Sequence, residues 1–528
     1  MTGAPNGWTR ATIADIATLV RGVSYKKGQS FGAPGAHRLP ILRANNIDDG
    51  LSFDDLVYVE EALVSDEQKL REGDIVLAMS SGSKRMVGKS ALVTRSFDGA
   101  FGAFCGLLRP HQIISSRFIS YLLSSRPFRQ HVESQALGTN INNLKREHVL
   151  EYEVALPPST EQLRIVARIE ELCSELDKGV DALEIAREQL KAYRQSVLKH
   201  AFEGKLTRGW RKQDGHRFES SAELLGRIAR ASEGYYAGEL LAWEAALEEW
   251  TSSGEKGRKP AKPDRPADAV PVSDEEAADL PSLPPTWTYA RLSTLAQIGS
   301  GMSVSKDRAI VDPLEVPYLR VANVQRGRLD LSHMARMKIE RTQLRALALR
   351  TWDVLFNEGG DRDKLGRGWI WEGQIDPCIT QNHVFRASPY LAIDLHAKFI
   401  SYWGNTFGQD YFNTEGKQTT NLASINKGVL SAFPIPLPSL EEQAEIVNEI
   451  EYRLSLADGL QHEIDAALER HSSLRQSILA KAFSGQLVAQ DPNDEPASAL
   501  LEQIKAERGP SNGQKKNGRR KKEVREAA

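Results

Sequence analysis

Two seven-residue stretches decide the fold: LPPSTEQ at residues 156–162 and LPSLEEQ at residues 437–443. In each one a proline precedes a serine, and a Gln or Glu follows that serine three positions later. Proline disfavours helix in the residue before it, and the Ser-x-x-Gln/Glu spacing is that of a capping box at a helix start. The sequence therefore predicts two helices that begin with capping boxes, formed by Ser159 with Gln162 and by Ser439 with Glu442.

Apolar residues then recur every seven positions. The first helix carries Ile169, Leu176, Leu183, Leu190 and Val197, with Leu172, Ala186 and Tyr193 beside them. The second carries Ile450, Ala457, Ile464 and Ile478, with Leu460, Ala467 and Leu474 beside them. His471 interrupts the second series, and Arg453 and Lys481 interrupt its neighbour. Sustained heptads require a partner helix, so we expect the two helices to pack as a coiled coil; two separate core helices are the alternative.

The two helices also share an ending. AFEGKL at residues 201–206 matches AFSGQL at residues 482–487. A glycine after the last turn adopts the left-handed conformation that ends many helices. The first helix would then be roughly 65 Å long at about 1.5 Å per residue.

The segments before the two helices resemble each other as well. LPILRANNI at 39–47 matches VPYLRVANV at 316–324, and FISY at 118–121 recurs at 399–402. Trp8 matches Trp287 in the same order. Short β-type runs, DIVL at 74–77 and DVLF at 353–356, lie between these motifs. The chain is therefore an internal duplication of a mixed α and β module followed by a long helix.

The expected domain boundaries follow from these patterns. A stretch with seven prolines separates the two halves, and a basic tail follows the second. We expect a first module at 1–155, a first spacer helix at 156–206, a helical extension at 207–251, a Pro-rich linker at 252–285, a second module at 286–436, a second spacer helix at 437–487, and a short helix with a basic tail at 488–528.

Composition narrows the class of protein. The 528 residues are 41% hydrophobic and 26% charged, with a net charge of −2 and no stretch apolar enough for a membrane span. We expect a cytoplasmic protein without a membrane partner. Its three cysteines are far apart in sequence, which predicts neither a disulfide framework nor a metal site.

Catalytic patterns are weak. Residues 82–90 resemble a phosphate-binding loop, but five residues instead of four separate the glycines. Asp410 with Glu415 and Lys417 superficially matches a metal-dependent nuclease set, yet the matched segment of the first half, around residues 138–140, has none of these acids. A self-contained nuclease or methyltransferase, and a coiled-coil scaffold without DNA function, remain the two alternatives.

Duplicated in this order, the helix starts, the helix ends and the strands at 74–77 and 353–356 resemble the specificity subunit of a type I restriction–modification system. The resemblance covers residues 8 to about 505. It implies an α+β fold in which two pseudo-repeated target recognition domains are separated by two long helices forming an antiparallel coiled coil. It also implies recognition of a bipartite double-stranded DNA target. Two methyltransferase subunits would methylate adenine N6, and two motor-nuclease subunits would cleave DNA.

The resemblance implies no catalytic residue, metal or cofactor in this chain; S-adenosylmethionine, ATP and Mg²⁺ would belong to the partner subunits. Amides can read adenine, Arg or Lys can read guanine, and isolated lysines bind phosphates. The candidate DNA contacts are Lys26, Lys27, Ser83, Lys84, Arg85, Lys89, Asn140, Asn142 and Lys145 in the first module, and Lys306, Arg308, Arg362, Lys364, Arg367, Asn382, Lys417, Gln418 and Asn421 in the second. A solvated surface side chain is the alternative for each.

Residues that choose bases should differ between the modules. The duplicated segments 43–46 and 320–323 are therefore expected to serve the fold or a common backbone contact.

Overall fold

A computed structural model describes residues 5–48, 50–136, 142–212, 218–255, 259–266, 268–304, 310, 312–360, 364–418 and 423–508. It divides into two compact units. Unit 1 comprises residues 1–185 and 464–528, and unit 2 comprises residues 186–463. The long helices are thus divided between the units, and each unit contains one module with a part of both helices.

The first half of the chain contains twelve strands and five helices among the described residues. They are β1 Thr9–Thr12, α1 Ile13–Ile16, β2 Ala17–Arg21, β3 Ser30–Phe31, β4 Arg38–Leu42, β5 Val57–Glu60, β6 Ile75–Ala78, β7 Ser80–Ser81, β8 Ser90–Leu92, β9 Ala100–Phe101, β10 Cys105–Pro110, α2 Ser116–Ser124, α3 Arg126–Gln135, β11 Asn142–Asn143, α4 Arg146–Leu150, β12 Glu153–Leu156 and α5 Ser159–Phe202.

The remaining described elements repeat much of this order. They are α6 Ser221–Ser252, α7 Asp274–Ala278, β13 Thr288–Arg291, α8 Leu292–Leu295, β14 Ala296–Ser300, β15 Pro313–Leu319, β16 Val324–Gln325, β17 Arg328–Leu329, β18 Ala335–Glu340, α9 Leu344–Leu347, β19 Val354–Asn357, β20 Gly359–Gly360, β21 Ile379–Thr380, β22 Val384–Pro389, α10 Asp394–Thr406, α11 Gly408–Glu415, β23 Lys417–Gln418, β24 Ala423–Ser424, α12 Lys427–Ala432, β25 Pro434–Leu437, α13 Leu440–Phe483 and α14 Ala497–Arg508.

Strand pairing confirms the duplication. Unit 1 has an antiparallel sheet of order β2-β10-β6-β8, and unit 2 has one of order β14-β22-β19 with an isolated bridge from Val354 to Ile370 in place of the fourth strand. In unit 1, β4 pairs antiparallel with β5 and parallel with β9; in unit 2, β15 pairs antiparallel with β18 and parallel with β21. The two modules therefore share one topology, even between about 325 and 395, where their sequences align poorly.

The β-type runs become the central strands of these sheets. All four residues of β6 and all four of β19 are buried. Continuous apolar runs are typical of strands covered on both faces. This burial explains why the short runs could be recognised as strands although apolar and polar residues do not alternate in them.

The segments at 43–46 and 320–323 serve the fold, as expected. Asn46 is buried, accepts a hydrogen bond from the backbone N–H of Arg43 and donates to the carbonyl of Asp54. Asn323 does the same with Arg320 and Asp330. In each turn the asparagine side chain forms hydrogen bonds with a backbone N–H and a backbone carbonyl, which stabilises the turn.

The starts of α5 and α13 differ from the predicted capping boxes. The N–H of Glu442 does donate to Ser439 Oγ, at 3.2 Å. However, Gln162 accepts from the Ser115 N–H and donates to the Pro157 carbonyl, and the Glu442 carboxylate accepts from other parts of unit 2. The return half of the box is wrong because both side chains are buried against the modules and find partners there.

Candidate nucleic-acid interface

The first module brings two of the predicted DNA-contacting loops together. Strand β7 (Ser80–Ser81) pairs antiparallel with β11 (Asn142–Asn143). The side chain of Asn142 donates to the carbonyl of Gly82 at 3.4 Å, and the Ser80 hydroxyl donates to Asn143 Oδ1. The loop after β7 and the segment around β11 therefore form one edge of unit 1, which we call edge 1 (residues 80–85 and 142–145).

Edge 1 is basic and accessible. Ser83, Lys84, Arg85 and Lys145 are exposed, whereas Asn142 is half-buried. No carboxylate lies within the described segments of edge 1. Exposed cations next to side-chain amides and hydroxyls suit phosphate contact and base reading together.

Arg129 supports this edge and was not predicted from the sequence. It lies on α3, and its guanidinium donates to the carbonyls of Arg85 at 2.8 Å and Val87 at 3.1 Å. Gly88 follows at a positive φ of 74°, where an added Cβ would meet the Val132 side chain at 2.3 Å. The loop backbone is thus held rigidly. In the sequence, only Gly88 hints that this loop is closely packed. The role of Arg129 could not be predicted, because α3 is distant from the loop in sequence.

The other basic residues of the first module lie elsewhere. The ammonium of Lys89 is half-buried and pairs with Asp48 at 2.6 Å, so its charge is already balanced. Lys26 is exposed, and its N–H donates to the Gln29 side chain. Lys27 begins a short 3₁₀ turn. The structure therefore does not bring these three lysines into edge 1.

The second module has an equivalent edge with different residues. Strand β24 (Ala423–Ser424) pairs with both β20 (Gly359–Gly360) and β23 (Lys417–Gln418). This small sheet, edge 2 (residues 359–360, 417–418 and 423–424), holds the position of β7 and β11. It contains Lys417 and Gln418 of the predicted segment at 417–421, and β20 comes shortly before Lys364 and Arg367 of the predicted segment at 362–367.

Three further candidates surround edge 2. Lys364 and Arg367 are half-buried, and a guanidinium nitrogen of Arg367 donates to the Val321 carbonyl at 3.5 Å. Asn382 is half-buried beside exposed His383, whose Nδ1 lies 2.6 Å from a Glu358 carboxylate oxygen. Asn140, Lys306, Arg308, Arg362 and Asn421 lie outside the described residues, and Lys27, Lys417 and Gln418 are described by their backbone alone.

One buried contact holds each module on a long helix. In unit 1 the indole N–H of Trp8 donates to Glu161 of α5 at 3.0 Å. In unit 2 the indole N–H of Trp287 donates to Glu442 of α13 at 2.9 Å. Both carboxylates are buried, and burial raises the pKa of Glu161. The sequence showed the matching tryptophans but not their partners.

The end of the other long helix joins the same core. In unit 1, Phe483 of α13 packs edge-on against Phe118 of α2. In unit 2, Phe202 of α5 packs edge-on against Phe399 of α10. The Ala-Phe motifs therefore attach helix ends to modules, in addition to ending the helices.

Within each unit the two long helices run antiparallel. In unit 1, Asp177 pairs with Arg475 at 3.6 Å, and Gly179 lies beside His471. In unit 2, Arg194 pairs with Asp458. Beyond the end of α5, the hydroxyl of Thr207 donates to the carboxylate of Glu442, near the start of α13, at 2.7 Å. Residue numbers rise on one helix as they fall on the other.

The predicted heptad residues line this pairing to different degrees. Ile169, Leu190, Val197, Ile450 and Ala457 are buried, whereas Leu176, Leu183, Ile464 and Ile478 are half-buried. On the neighbouring series, Tyr193, Leu460 and Leu474 are exposed. Leu172, Ala186 and Ala467 of that series are half-buried. Two paired helices bury one narrow seam, so the neighbouring series lies at its margin.

The nuclease-like set does not assemble. Asp410 and Glu415 both lie on α11, where five positions separate their directions by about 140° at about 3.6 residues per turn. Within the described ranges, no three His, Cys, Asp or Glu side chains are placed to hold a metal ion. The cysteines Cys105, Cys173 and Cys378 are free and buried. Among the described residues, every helix is too short or too polar to cross a membrane.

These features define a class: two copies of one α+β module, each with a polar edge, attached to a pair of antiparallel helices. The sequence profile described as type I restriction modification DNA specificity domain matches residues 5–184 and 284–470. The chain belongs to this family.

Known relatives match almost the whole chain. The type I restriction enzyme EcoKI specificity subunit of Escherichia coli strain K12 is 31% identical, over 97% of this chain and 97% of its own length. The StySPI specificity subunit of Salmonella potsdam is 31% identical over 98% of each chain. A solved chain from a study of complex assembly and conformational transition of the type I R-M system superimposes with a TM-score of 0.59, at 16% identity, over 92% of this chain and 100% of that chain.

Proposed function

We propose that this chain is the DNA specificity subunit of a type I restriction–modification complex. Edge 1 and edge 2 each read one half of a bipartite double-stranded target, and the paired helices set the gap between the halves. The observation that carries the proposal is the repetition of one edge, at the same place in two modules of the same topology, with different side chains in each. A shared frame with divergent edges suits two different half-sites.

The chemistry belongs to partner subunits in this proposal. Two methyltransferase subunits use S-adenosylmethionine to methylate adenine N6, and two motor-nuclease subunits use ATP and Mg²⁺ to translocate and cleave. The assembly works in the cytoplasm, with no membrane partner. This chain supplies recognition and placement of the target, and it is not catalytic by itself.

The proposal is tested by mapping N6-methyladenine across the source genome, with and without this gene. We expect deletion to remove methylation from one motif that is split by unspecified bases. If methylation is unchanged in a strain that expresses an active methyltransferase partner, the proposal fails.

Substitution then tests edge 1 directly. Replacing Lys84 and Arg85 by alanine should weaken binding of the assembled complex to its target and lower the salt slope of the affinity by about 2. The control removes two exposed arginines of the same unit outside the edge, Arg10 and Arg71. Equal effects of both double variants would show that edge 1 has no special role.

A further inference from the structure

The two modules contain one turn that is built in the same way in both. In unit 1 the Cys105 N–H donates to the Gly102 carbonyl at 2.8 Å and closes a turn at residues 102–105, which we call turn 1. In unit 2 the Val384 N–H donates to the Gln381 carbonyl at 2.9 Å and closes turn 2, at residues 381–384. Each turn leads directly into an inner strand of its sheet, β10 or β22, so the two turns are equivalent.

Each turn also lies against the polar edge of its module. The carbonyl of Phe104 accepts hydrogen bonds from the N–H groups of Met79 at 2.8 Å and of Ser80, in β7 of edge 1, at 3.1 Å. The carbonyl of His383 accepts from the N–H of Glu358 at 2.9 Å, and β20 of edge 2 begins at the next residue. Turn 1 is therefore a neighbour of edge 1, and turn 2 is a neighbour of edge 2.

A glycine packs against each turn from the same side. A Cβ added to Gly22 would lie 2.1 Å from the carbonyl oxygen of Gly102, and one added to Gly301 would lie 2.3 Å from the carbonyl oxygen of Gln381. Two backbones approach so closely only where a side chain is missing. Both turns are thus held by backbone contacts that do not depend on their central residues.

The central residues of the two turns share no chemistry. Turn 1 has Ala103 and Phe104, whereas turn 2 has Asn382 and His383. The Phe104 side chain is exposed, with 64% of its surface accessible, and the His383 side chain is 55% exposed. Because the frame is duplicated and the exposed residues on it are not, the fold does not select these side chains. Residues that choose bases are expected to differ between the modules in this way.

Turn 2 presents polar groups in a fixed arrangement. The Glu358 carboxylate accepts a hydrogen bond from His383 Nδ1 at 2.6 Å, and the amide nitrogen of Asn382 lies 3.4 Å from His383 Nε2. A side-chain amide can pair with the edge of an adenine. Turn 2 therefore offers hydrogen-bonding groups to a base.

Turn 1 presents an apolar ring beside exposed cations. Met79 stands in the place of Glu358, so turn 1 lacks the carboxylate of turn 2. The apolar group that a base exposes in the major groove is the methyl group of thymine, which phenylalanine contacts. Lys84 and Arg85 of edge 1 are exposed and suit phosphate contacts, which position a protein on DNA without choosing a sequence.

We propose that turns 1 and 2 are the base-reading elements of the two modules, and that Phe104 recognises a thymine in one half-site by contact with its methyl group. Asn382 and His383 form hydrogen bonds with bases of the other half-site. The edges bind the DNA backbone and hold each turn against the groove. This assignment rests on the proposed function and names the residues that make the two half-sites different.

The first test removes single methyl groups from the DNA. The probes are duplexes with the motif found by methylation mapping, in which one thymidine at a time is replaced by deoxyuridine. The assembled complex with the unsubstituted chain should bind one of these probes about fourfold more weakly, as expected for one buried carbon group. The complex with Phe104→Ala should not distinguish that probe from the unmodified duplex, whereas Phe104→Leu should keep part of the difference.

The control removes another exposed apolar side chain of the same unit. Leu163 on α5 is 62% exposed, and Leu163→Ala should keep the fourfold difference. Circular dichroism verifies that each variant is folded. If no deoxyuridine weakens binding, or if the loss persists in folded Phe104→Ala, the thymine contact is wrong. If the unsubstituted complex does not prefer the motif to an unrelated duplex, the proposed function itself fails.

The second test compares the two turns in the source organism. Mapping of N6-methyladenine should show that Phe104→Ala relaxes the motif at one position of one half-site. The double variant Asn382→Ala with His383→Ala should relax the other half-site and leave the first unchanged. Relaxation of the same half-site by both variants, or of neither half-site, would overturn the assignment of the turns.

Discussion

Unit 1 and unit 2 use the same indole–carboxylate contact but surround it differently. In unit 2 the Glu442 carboxylate also accepts from Thr207 and forms a buried ion pair with Arg211. In unit 1, among the described residues, the Glu161 carboxylate accepts from the Trp8 indole and, at a long 3.5 Å, from Gln490. The glutamate and its tryptophan partner are duplicated, whereas the other hydrogen-bond partners of the glutamate differ between the units. The two units should therefore respond unequally to equivalent changes.

The largest expected effect is the loss of Glu442. Glu442→Ala leaves the half-buried Arg211 and the buried Trp287 N–H without their carboxylate, which should cost about 3–5 kcal/mol in the free energy of unfolding of unit 2. Glu161→Ala should cost unit 1 only about 1–3 kcal/mol, because among the described residues no arginine forms an ion pair with this carboxylate. Hydrogen exchange followed by mass spectrometry separates the two units, and equal losses would contradict the difference.

The next effect concerns Trp369. Because it is half-buried, Trp369→Ala should destabilise unit 2 by about 2 kcal/mol, below the roughly 3–5 kcal/mol of a fully buried ring. In unit 1 the strand register places Ala91 at the position of Trp369. Ala91 is buried in the core beside Val76 and Val93, so Ala91→Trp should overpack that core and cost about 1–3 kcal/mol. Thermal unfolding of both variants measures this, and an unchanged stability of Ala91→Trp would mean that the core around Ala91 has room for the ring.

A pH effect should distinguish the units more weakly. His396 of unit 2 is buried, its Nδ1–H donates to Gln443 at 2.6 Å, and burial lowers its pKa below 6.5. Unit 1 has Ser115 at the equivalent position. Below pH 6.5 the imidazole is protonated in the unfolded chain but stays neutral in the folded chain, because its pKa is lower there. Unit 2 should therefore keep this stability above pH 6.5 and lose up to about 1.4 kcal/mol per pH unit as the pH falls toward the lowered pKa.

Hydrogen exchange at pH 6.5 and pH 5.5 measures the difference. His396→Asn should flatten the response of unit 2 and leave unit 1 unchanged. A slope that persists in this variant would assign the effect to other groups.

The smallest effect is expected on the paired helices. Arg194→Ala in unit 2 and Arg475→Ala in unit 1 each remove a partly exposed ion pair. Such pairs contribute about 0.2–1 kcal/mol, so both losses should be small and similar. Thermal unfolding in low and high salt checks this, since the difference between variant and unsubstituted chain should vanish in high salt.

Local patterns predicted the helices well and their partners poorly. The heptads and glycines placed the ends of α5 and α13 within one or two residues, because those signals act inside the helix. Gln162 and Glu442 were assigned to capping boxes from their local spacing. The assignment was wrong for their side chains because they are buried against modules distant in sequence, which the local pattern does not show. Tyr193, Leu460 and Leu474, which follow the same seven-residue repeat beside the first series, are exposed, because periodicity does not tell how wide the buried stripe is.

The candidate interface shows the same division. Ser83, Lys84 and Arg85 could be selected by residue type, and the pairing of β7 with β11 brings them to Asn142. Arg129 could not be selected, since its contacts with that loop are long-range. Lys89 was selected although Asp48 already balances its charge. Residue type identifies candidates, but tertiary contacts decide which of them remain available.

The division of the chain into units bears on its synthesis. Unit 2 is one continuous segment, whereas unit 1 needs both the first 185 residues and those after 463. Ala497, Leu501 and Ile504 of α14 lie in the core of unit 1, and the Ala497 N–H donates to the Gly7 carbonyl. Domains generally fold as they leave the ribosome. The half that is translated first must therefore wait for the last helix, and the half translated second completes its core earlier.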